Sequence, residues 1–202
     1  LMPYFDEFWV SDNTDAQQRL FIQWGTSMFF PACAMAQHVS ASPNHQTGRV
    51  IPLKFRFDVA MTGRLGMEMK PSDLTEKELA YAKNAVATYK EIRPIIQQGN
   101  QYRILSPYDK TGYASELYIT DDKSGAIFFS YKFEHYVNQF RPRFHFAGLD
   151  PNANYKLTEI CVEGRTDHWE GRTFTGKFLM QQGIEIALNG LFDSKVILLK
   201  KQ

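Results

Sequence analysis

The sequence is poor in cysteine, has no long apolar run and carries almost no net charge. Only two of the 202 residues are cysteines, Cys33 and Cys161, and they show no C-x-x-C spacing. We therefore expect no disulfide framework, no metal site and no cofactor, and both redox compartment and localisation stay undecided. The 23 basic and 22 acidic residues leave a formal charge of +1, which predicts no nucleic-acid partner. The longest apolar stretch, 28–35, is too short to span a bilayer, so no membrane partner is expected.

The first residues read as the middle of a folded element. The chain opens at Leu1 without an initiator Met, and the apolar segment 4–10 follows at once. Natural amino termini are more often polar and loose. We therefore expect that sequence upstream of Leu1 is missing.

Residues 1–99 alternate short apolar runs with helical patterns, which is typical of parallel βαβ construction. Strands are predicted at 5–10, within the apolar run 27–39 and at 64–70, and a short helix at 52–62. Thr14 and Gln17 have the spacing of a capping box, which predicts a helix from about Ala16. A second capping box, at Thr75 and Glu78, opens the helix with the strongest apolar face.

Residues 100–202 follow a different pattern, in which apolar side chains recur at every second position. The strands predicted by this period are 125–133, 155–162, 174–180 and 195–200, with turn sequences such as Asn189-Gly190 between them. The fold class is thus α/β followed by all-β, and the second domain is an antiparallel sandwich of roughly eight strands.

The first domain has too few strands to stand as a complete parallel sheet. Two or three parallel strands cannot cover both of their faces, although buried parallel sheets need this. We interpret residues 1–99 as an incomplete C-terminal part of a (β/α)8 barrel, the alternative being a small free-standing α/β layer. An exposed sheet edge near residues 27–39 would then be covered by a partner piece or by self-association.

Several motifs resemble those of the melibiase-type α-galactosidases of glycoside hydrolase family 36. The segment Phe8-Trp9-Val10-Ser11-Asp12-Asn13-Thr14-Asp15-Ala16 is similar to the family's acid/base motif. The segment His38-Val39-Ser40-Ala41-Ser42-Pro43-Asn44-His45-Gln46-Thr47-Gly48-Arg49 is similar to a family loop, and the likeness continues to Gly66-Met67-Glu68. After Gly99 the resemblance is one of architecture.

The resemblance implies a retaining glycosidase that removes terminal α-galactosyl residues from oligosaccharides. Asp12 would be its general acid and base. The family's nucleophile, the Asp of a Lys-Trp-Asp motif on an earlier strand, has no counterpart in these 202 residues. Retaining hydrolysis needs both carboxyl groups. The chain is thus expected to be the inactive C-terminal part of an enzyme whose N-terminal part is missing and which forms a homo-oligomer. The alternative is a structural or assembly fragment whose sandwich packs on the barrel or weakly binds sugar.

Each candidate site residue also has a purely structural interpretation. Asp12 and Asp15 could both cap the helix that follows them, and for Asp15 we prefer this reading. Trp9 and Ser11 are candidate substrate contacts because they flank Asp12. Asn44 and His45 are candidates for supporting that carboxyl group from behind the sugar site.

Three further groups are more readily explained by structure than by chemistry. His38 and His45 lack a third ligand nearby and make a poor metal site. Arg49 and Arg56 could hold their loop by salt bridges. Trp169 could stack on a sugar, but a loop aromatic that covers a sheet edge is the simpler reading.

Overall fold

The computed structural model describes residues 4–164 and 166–202. The chain divides into two compact units between Arg93 and Pro94. The predicted domain boundary after Gly99 lies slightly later, at the end of a long helix that crosses this division.

The first unit alternates strands and helices as the sequence pattern predicts. Its strands are β1 (Phe8–Trp9), β2 (Met35–Ser40) and β3 (Arg64–Glu68). Its helices are α1 (Ala16–Thr26), α2 (Leu53–Ala60) and α3 (Glu76–Gln98), with single 3-10 turns at Ala32–Ala34 and Pro71–Asp73. The strands form one parallel sheet in the order β1-β2-β3, and Ser40 at the end of β2 lies in register with Glu68 at the end of β3.

The sheet edge predicted near residues 27–39 is wrong. Strand β2 lies in the middle of the described sheet, with β1 on one side and β3 on the other. Residues 27–34, which precede it, are not strand, and Phe29 among them is largely exposed.

The helices of the first unit are set by burial and by their caps. All eight residues of α2 are buried, and its charged pair Lys54 and Asp58 forms an ion pair of 2.5 Å one helical turn apart. The capping box of α3 is confirmed, since the Thr75 amide donates to Glu78 Oε2 at 2.9 Å and the Glu78 amide to Thr75 Oγ1 at 3.3 Å. The helix start near Ala16 is also confirmed.

The second unit is built on a six-stranded antiparallel sheet in the order β4-β5-β6-β11-β8-β9. These strands are β4 (Asn100–Leu105), β5 (Tyr113–Ile119), β6 (Gly125–Lys132), β8 (Asn154–Ile160), β9 (Thr173–Thr175) and β11 (Asp193–Lys201). A two-stranded sheet pairs β7 (Arg143–Phe144) with β10 (Ile184–Glu185), and a further single 3-10 turn covers Pro107–Asp109.

The aromatic side chains of the second unit make its core. Phe128 of β6 is fully buried, with its ring 5.8 Å from that of Phe144 and 4.5 Å from that of Phe146. Every residue of β6 is buried, so the central part of this sheet is covered on both faces. The alternation at 125–133 therefore predicted the strand correctly, but it did not indicate that both faces of the strand are buried.

Two expectations in the second unit need correction. The strand predicted at 174–180 is only β9, and the chain then forms helix α4 (Gly176–Gln181), capped by the Thr175 hydroxyl. Trp169 is not available to stack on a sugar, because its side chain is fully buried and belongs to the core of the second unit. Alternation over a few residues cannot distinguish a strand from a short helix with one apolar face.

Within the part of the chain that the structure describes, no helix has the length and apolar character needed to cross a membrane.

The buried aromatic core should dominate the stability of the second unit. Replacing Phe128 with Ala is expected to lower the free energy of unfolding by about 3–5 kcal/mol, since it removes a fully buried ring. The matched control is Phe140→Ala, because Phe140 is 91% exposed and its loss should change stability by less than about 0.5 kcal/mol. Urea unfolding monitored by circular dichroism measures both, and equal effects would contradict this account of the core.

Candidate active site

The candidate site lies at the carboxyl edge of the parallel sheet, where three segments leave their strands. Residues 11–15 follow β1, residues 41–49 follow β2, and Glu68 ends β3. Because parallel strands end at the same edge of a sheet, side chains from all three segments are brought together there. Asp12 and Glu68 are both exposed at this edge.

The turn that carries Asp12 is held by its own side chains. The Asn13 amide donates to Ser11 Oγ at 3.1 Å, and the Asp15 amide donates to Asn13 Oδ1 at 3.1 Å. These short-range bonds stabilise a compact turn between the strand and the helix. Asp12 lies between Ser11 and Asn13, and its side chain is exposed.

Asp15 joins the helix and the loop below the site. Its Oδ1 accepts the Gln18 amide at 3.0 Å and so caps α1, while its Oδ2 accepts the Thr47 hydroxyl at 2.6 Å and pairs with Arg49 at 2.6 Å. The prediction that Asp15 is a helix cap is confirmed. The capping box assigned to Thr14 and Gln17 is wrong.

Thr14 is buried and serves another purpose, which explains that error. Its carbonyl accepts the Ser40 hydroxyl at 2.9 Å, and its own hydroxyl accepts from Asn44 Nδ2 at 3.3 Å. Its side chain is thus used by tertiary contacts that spacing along the chain does not reveal.

Burial alone would raise the pKa of Asp15. The hydrogen bonds from Thr47 and the Gln18 amide, together with the hydrogen bond and charge of Arg49, outweigh that effect and hold the pKa below its usual value. Asp15 is therefore an anion at neutral pH, and its charge stabilises the folded state.

The loop after β2 is organised by Asn44. Its side-chain Oδ1 accepts the backbone amides of Gln46 and Thr47 at 3.0 and 3.1 Å. Its backbone amide donates to the Arg49 carbonyl at 2.9 Å. His45 is exposed beside it. Asn44 is thus buried beneath the edge, while His45 is accessible.

The two loop arginines have different partners. Arg49 forms the predicted salt bridge, with Asp15. Arg56 instead donates to the carbonyls of Ser40 at 2.5 Å and Ile51 at 3.0 Å. It therefore holds the end of β2 by hydrogen bonds to the backbone.

Trp9 lies between two nitrogen-bearing side chains. Its ring centre is 4.2 Å from that of His38, edge to face, and 5.4 Å from the guanidinium carbon of Arg19. Burial lowers the pKa of His38, although Glu68 and Glu7 act in the opposite direction. The imidazole is therefore neutral at pH 7 and packs as an aromatic ring, and 38% of Trp9 stays exposed.

Gly66 of β3 leaves the space that this ring needs. It is in register with His38, and a Cβ atom at this position would lie 2.5 Å from His38 Nε2. A larger residue would displace the imidazole and with it the edge on which Trp9 rests.

The sequence motifs did not indicate that Arg19 and Glu68 lie at the candidate site. Arg19 is buried on α1 with its guanidinium against Trp9, and its Nη2 donates to the Ser11 carbonyl at 2.8 Å. Helical spacing could have indicated that Arg19 is buried, because it falls on the same face of α1 as the buried residues Ala16, Leu20 and Gln23. A charged residue within an apolar stripe requires a partner.

Among the described residues no cluster of His, Cys, Asp and Glu is arranged to hold a metal ion. The arrangement instead offers the exposed carboxyl group of Asp12, three residues after the partly exposed Trp9, on a backbone held by hydrogen bonds and one ion pair. Such a site can transfer a proton to or from a sugar hydroxyl or glycosidic oxygen.

Comparison with known proteins identifies the family. A family model described as Melibiase matches residues 1–99, and one described as Glycosyl hydrolase family 36 C-terminal domain matches residues 113–199. The chain belongs to glycoside hydrolase family 36, as its motifs predict.

The relatives extend well beyond this chain. The probable alpha-galactosidase C of Aspergillus oryzae is 38% identical over 203 residues, covering 100% of this chain and 25% of that protein. The crystal structure of the GH36 alpha-galactosidase AgaA of Geobacillus stearothermophilus in complex with raffinose is 35% identical, with a TM-score of 0.89, covering 100% of this chain and 26% of that one. A stachyose complex of AgaA is 38% identical, with a TM-score of 0.84, covering 95% and 25%. The chain thus spans about a quarter of the length of these relatives.

Acid should remove the contribution of Asp15 to stability. A carboxyl group whose pKa is lowered in the folded state stabilises it fully above the unfolded value, about 3.9, and loses that contribution as pH falls through the folded value. At pH 7, Asp15→Ala should cost about 2–4 kcal/mol, because it removes the cap, the hydrogen bond from Thr47 and the ion pair with Arg49. Asp15→Asn keeps the cap and should cost less.

The test compares thermal unfolding of the wild type and Asp15→Asn between pH 7 and pH 3. The difference in stability should shrink below about pH 4, where Asp15 of the unfolded chain begins to protonate while the folded carboxylate is still ionised. A difference that stays constant with pH would contradict the ionic role of Asp15.

Proposed function

We propose that this chain contributes the acid/base half of the active site of a retaining α-galactosidase. The observation that carries the proposal is the exposed Asp12 at the carboxyl edge of a parallel sheet, in a segment that resembles the acid/base motif of family 36. Raffinose and stachyose in the AgaA structures support α-galactosyl oligosaccharides as the substrate class.

The chemistry would be a double displacement. In the first step a carboxylate elsewhere in the enzyme attacks the anomeric carbon, the bond to the leaving oxygen breaks, and Asp12 gives that oxygen its proton. In the second step Asp12 takes a proton from water, and the water oxygen attacks the same carbon, so that the galactosyl ester breaks and the nucleophile is released. Net retention follows from two inversions.

The other predicted site residues receive roles consistent with their surroundings. The exposed part of Trp9 is offered as a platform for an apolar face of the sugar, since aromatic faces suit such contacts. Ser11 would contribute through its position next to Asp12, while its hydroxyl oxygen accepts a backbone hydrogen bond. Asn44 would support the edge from below, and the exposed His45 would border it.

The rest of the catalytic apparatus would come from chain that this sequence does not contain. The family model for melibiase and the quarter-length coverage support placing residues 1–99 as the last strands and helices of a (β/α)8 barrel. On this proposal the nucleophile lies in the N-terminal part of the same enzyme. Residues 100–202 would pack as a C-terminal β-sandwich, and the complete enzyme would assemble as a homo-oligomer.

Asp12 can be tested with substrates that differ in leaving group. In the complete enzyme, Asp12→Ala should lower kcat/KM for raffinose by about 10²–10⁴-fold, because its sucrose leaving group needs a proton. The value for 4-nitrophenyl α-galactoside should fall far less, since nitrophenolate departs without one. The control is Asp109→Ala, an exposed carboxyl group in the second unit, which should alter neither value. Equal losses on both substrates in Asp12→Ala would contradict the assignment.

The 202-residue chain alone should not hydrolyse α-galactosides. One carboxyl group of the required pair is not enough for double displacement. Purified chain incubated with 4-nitrophenyl α-galactoside should release no nitrophenol above the rate of a buffer control, with the complete enzyme as the positive control. Turnover by the chain that disappears in its Asp12→Ala variant would overturn this prediction.

A structural role without catalysis is the second candidate. The absence of Lys-Trp-Asp from the sequence favours it for the chain in isolation. Sugar binding by the second unit is less well supported, because Trp169 is fully buried.

A further inference from the structure

Arg19 is a buried cation whose hydrogen-bonding capacity is largely unused in the part of the chain that the structure describes. The residue is 1% exposed, and its Nη2 donates to the Ser11 carbonyl at 2.8 Å. Its Nε and Nη1 are buried and have no hydrogen-bond partner among the described residues. A guanidinium held in this way is costly, because each buried N–H group has given up its contact with water.

Arg56 shows what a purely structural arginine looks like in the same unit. It is also buried, but its Nε donates to the Ile51 carbonyl and its Nη1 to the Ser40 carbonyl, at 3.0 and 2.5 Å. Both arginines hold a carbonyl near the end of a strand. Arg56 uses two directions of its planar fork for backbone carbonyls, whereas Arg19 uses one.

The surroundings of Arg19 are those of the candidate active site. Its guanidinium carbon lies 5.4 Å from the ring centre of Trp9, which favours a cation through its π-face. Burial lowers the pKa of Arg19, whereas Glu68 and Asp12, the two exposed carboxyl groups of the edge, favour its charged form. The guanidinium thus contacts the Ser11 carbonyl and the Trp9 ring, the two groups that precede Asp12 at this edge.

We propose that Arg19 is a positioning residue for catalysis, which sets the Asp12 carboxyl group and the Trp9 ring relative to each other at the mouth of the site. The bond from Nη2 fixes the Ser11 carbonyl, and the Asp12 backbone follows directly. The same guanidinium fixes the Trp9 ring from beneath. The inference rests on the proposed function, because it assumes that Asp12 is the proton donor.

If Arg19 positions the Asp12 carboxyl group, its loss should slow the step in which Asp12 transfers a proton. A displacement of about 1 Å in a catalytic group can cost about 10²-fold in rate. Substrates that need protonation should therefore be affected much more than substrates that do not. A residue that only maintains the fold would lower both rates together.

The experiment uses Arg19→Met and Arg19→Lys in the complete enzyme. Arg19→Met should lower kcat/KM for raffinose by about 10²-fold and for 4-nitrophenyl α-galactoside by less than about 5-fold. Arg19→Lys retains the charge but not the planar fork, and we expect it to recover about 10-fold of the loss on raffinose. Arg56→Met is the matched control, and its loss should be equal on the two substrates.

Asp12→Ala measured in parallel separates failure of this inference from failure of the proposed function. Equal losses on the two substrates in Asp12→Ala would reject the proposed function and the inference with it. A substrate-dependent loss in Asp12→Ala but equal losses, or none, in both Arg19 variants would reject only the inference. If Arg19→Met does not fold, Arg19→Lys alone decides, by whether its loss on raffinose exceeds its loss on the nitrophenyl substrate.

Discussion

The carboxylate of Asp15 is the interaction on which the candidate site depends. One oxygen caps helix α1, and the other binds Thr47 and Arg49 of the loop that follows the neighbouring strand. The helix start, the turn that carries Asp12 and the Asn44 loop are therefore fixed to one another through a single buried anion. Its desolvation is offset by three favourable contacts, which is the condition under which a buried charge can be retained.

Buried arginines extend the same principle to the strand ends. Arg19 holds the carbonyl of Ser11 after β1, and Arg56 holds that of Ser40 at the end of β2. The last carbonyls of a strand lose their ladder partners, and a guanidinium can supply directed donors to them. Buried charged side chains, Asp15, Arg19 and Arg56, thus lie behind the strand ends, while Asp12 itself stays exposed.

The second unit is stabilised in a different way. Its central strand β6 is buried along its whole length, and the rings of Phe144 and Phe146 both pack against that of Phe128. Area burial and close packing dominate there. The charged contacts of Asp15 should therefore weaken only below about pH 4, whereas the packing of these rings has no titratable group.

Much of this could be predicted from sequence wherever the signal was local. The helices opened by Asp15 and by Thr75 with Glu78, the parallel order of the first unit and the long strands of the second all follow from caps and apolar periodicity. The family followed from the motifs around Asp12 and Asn44. The short helix at Gly176–Gln181 did not, because one turn of amphipathic helix and a short alternating strand share the same residue pattern.

The sequence by itself determined the class of fold, the family and the residue proposed as proton donor, since each is written in contiguous residues. Only the tertiary structure decided that Thr14 contacts Ser40 and Asn44 instead of forming a capping box, that Trp169 is buried, and that Arg19 lies against Trp9 and binds the Ser11 carbonyl. These outcomes depend on contacts between residues that different strands and loops bring together. The sequence shows where a charged residue stands along the chain, but only the folded structure shows which residues it contacts.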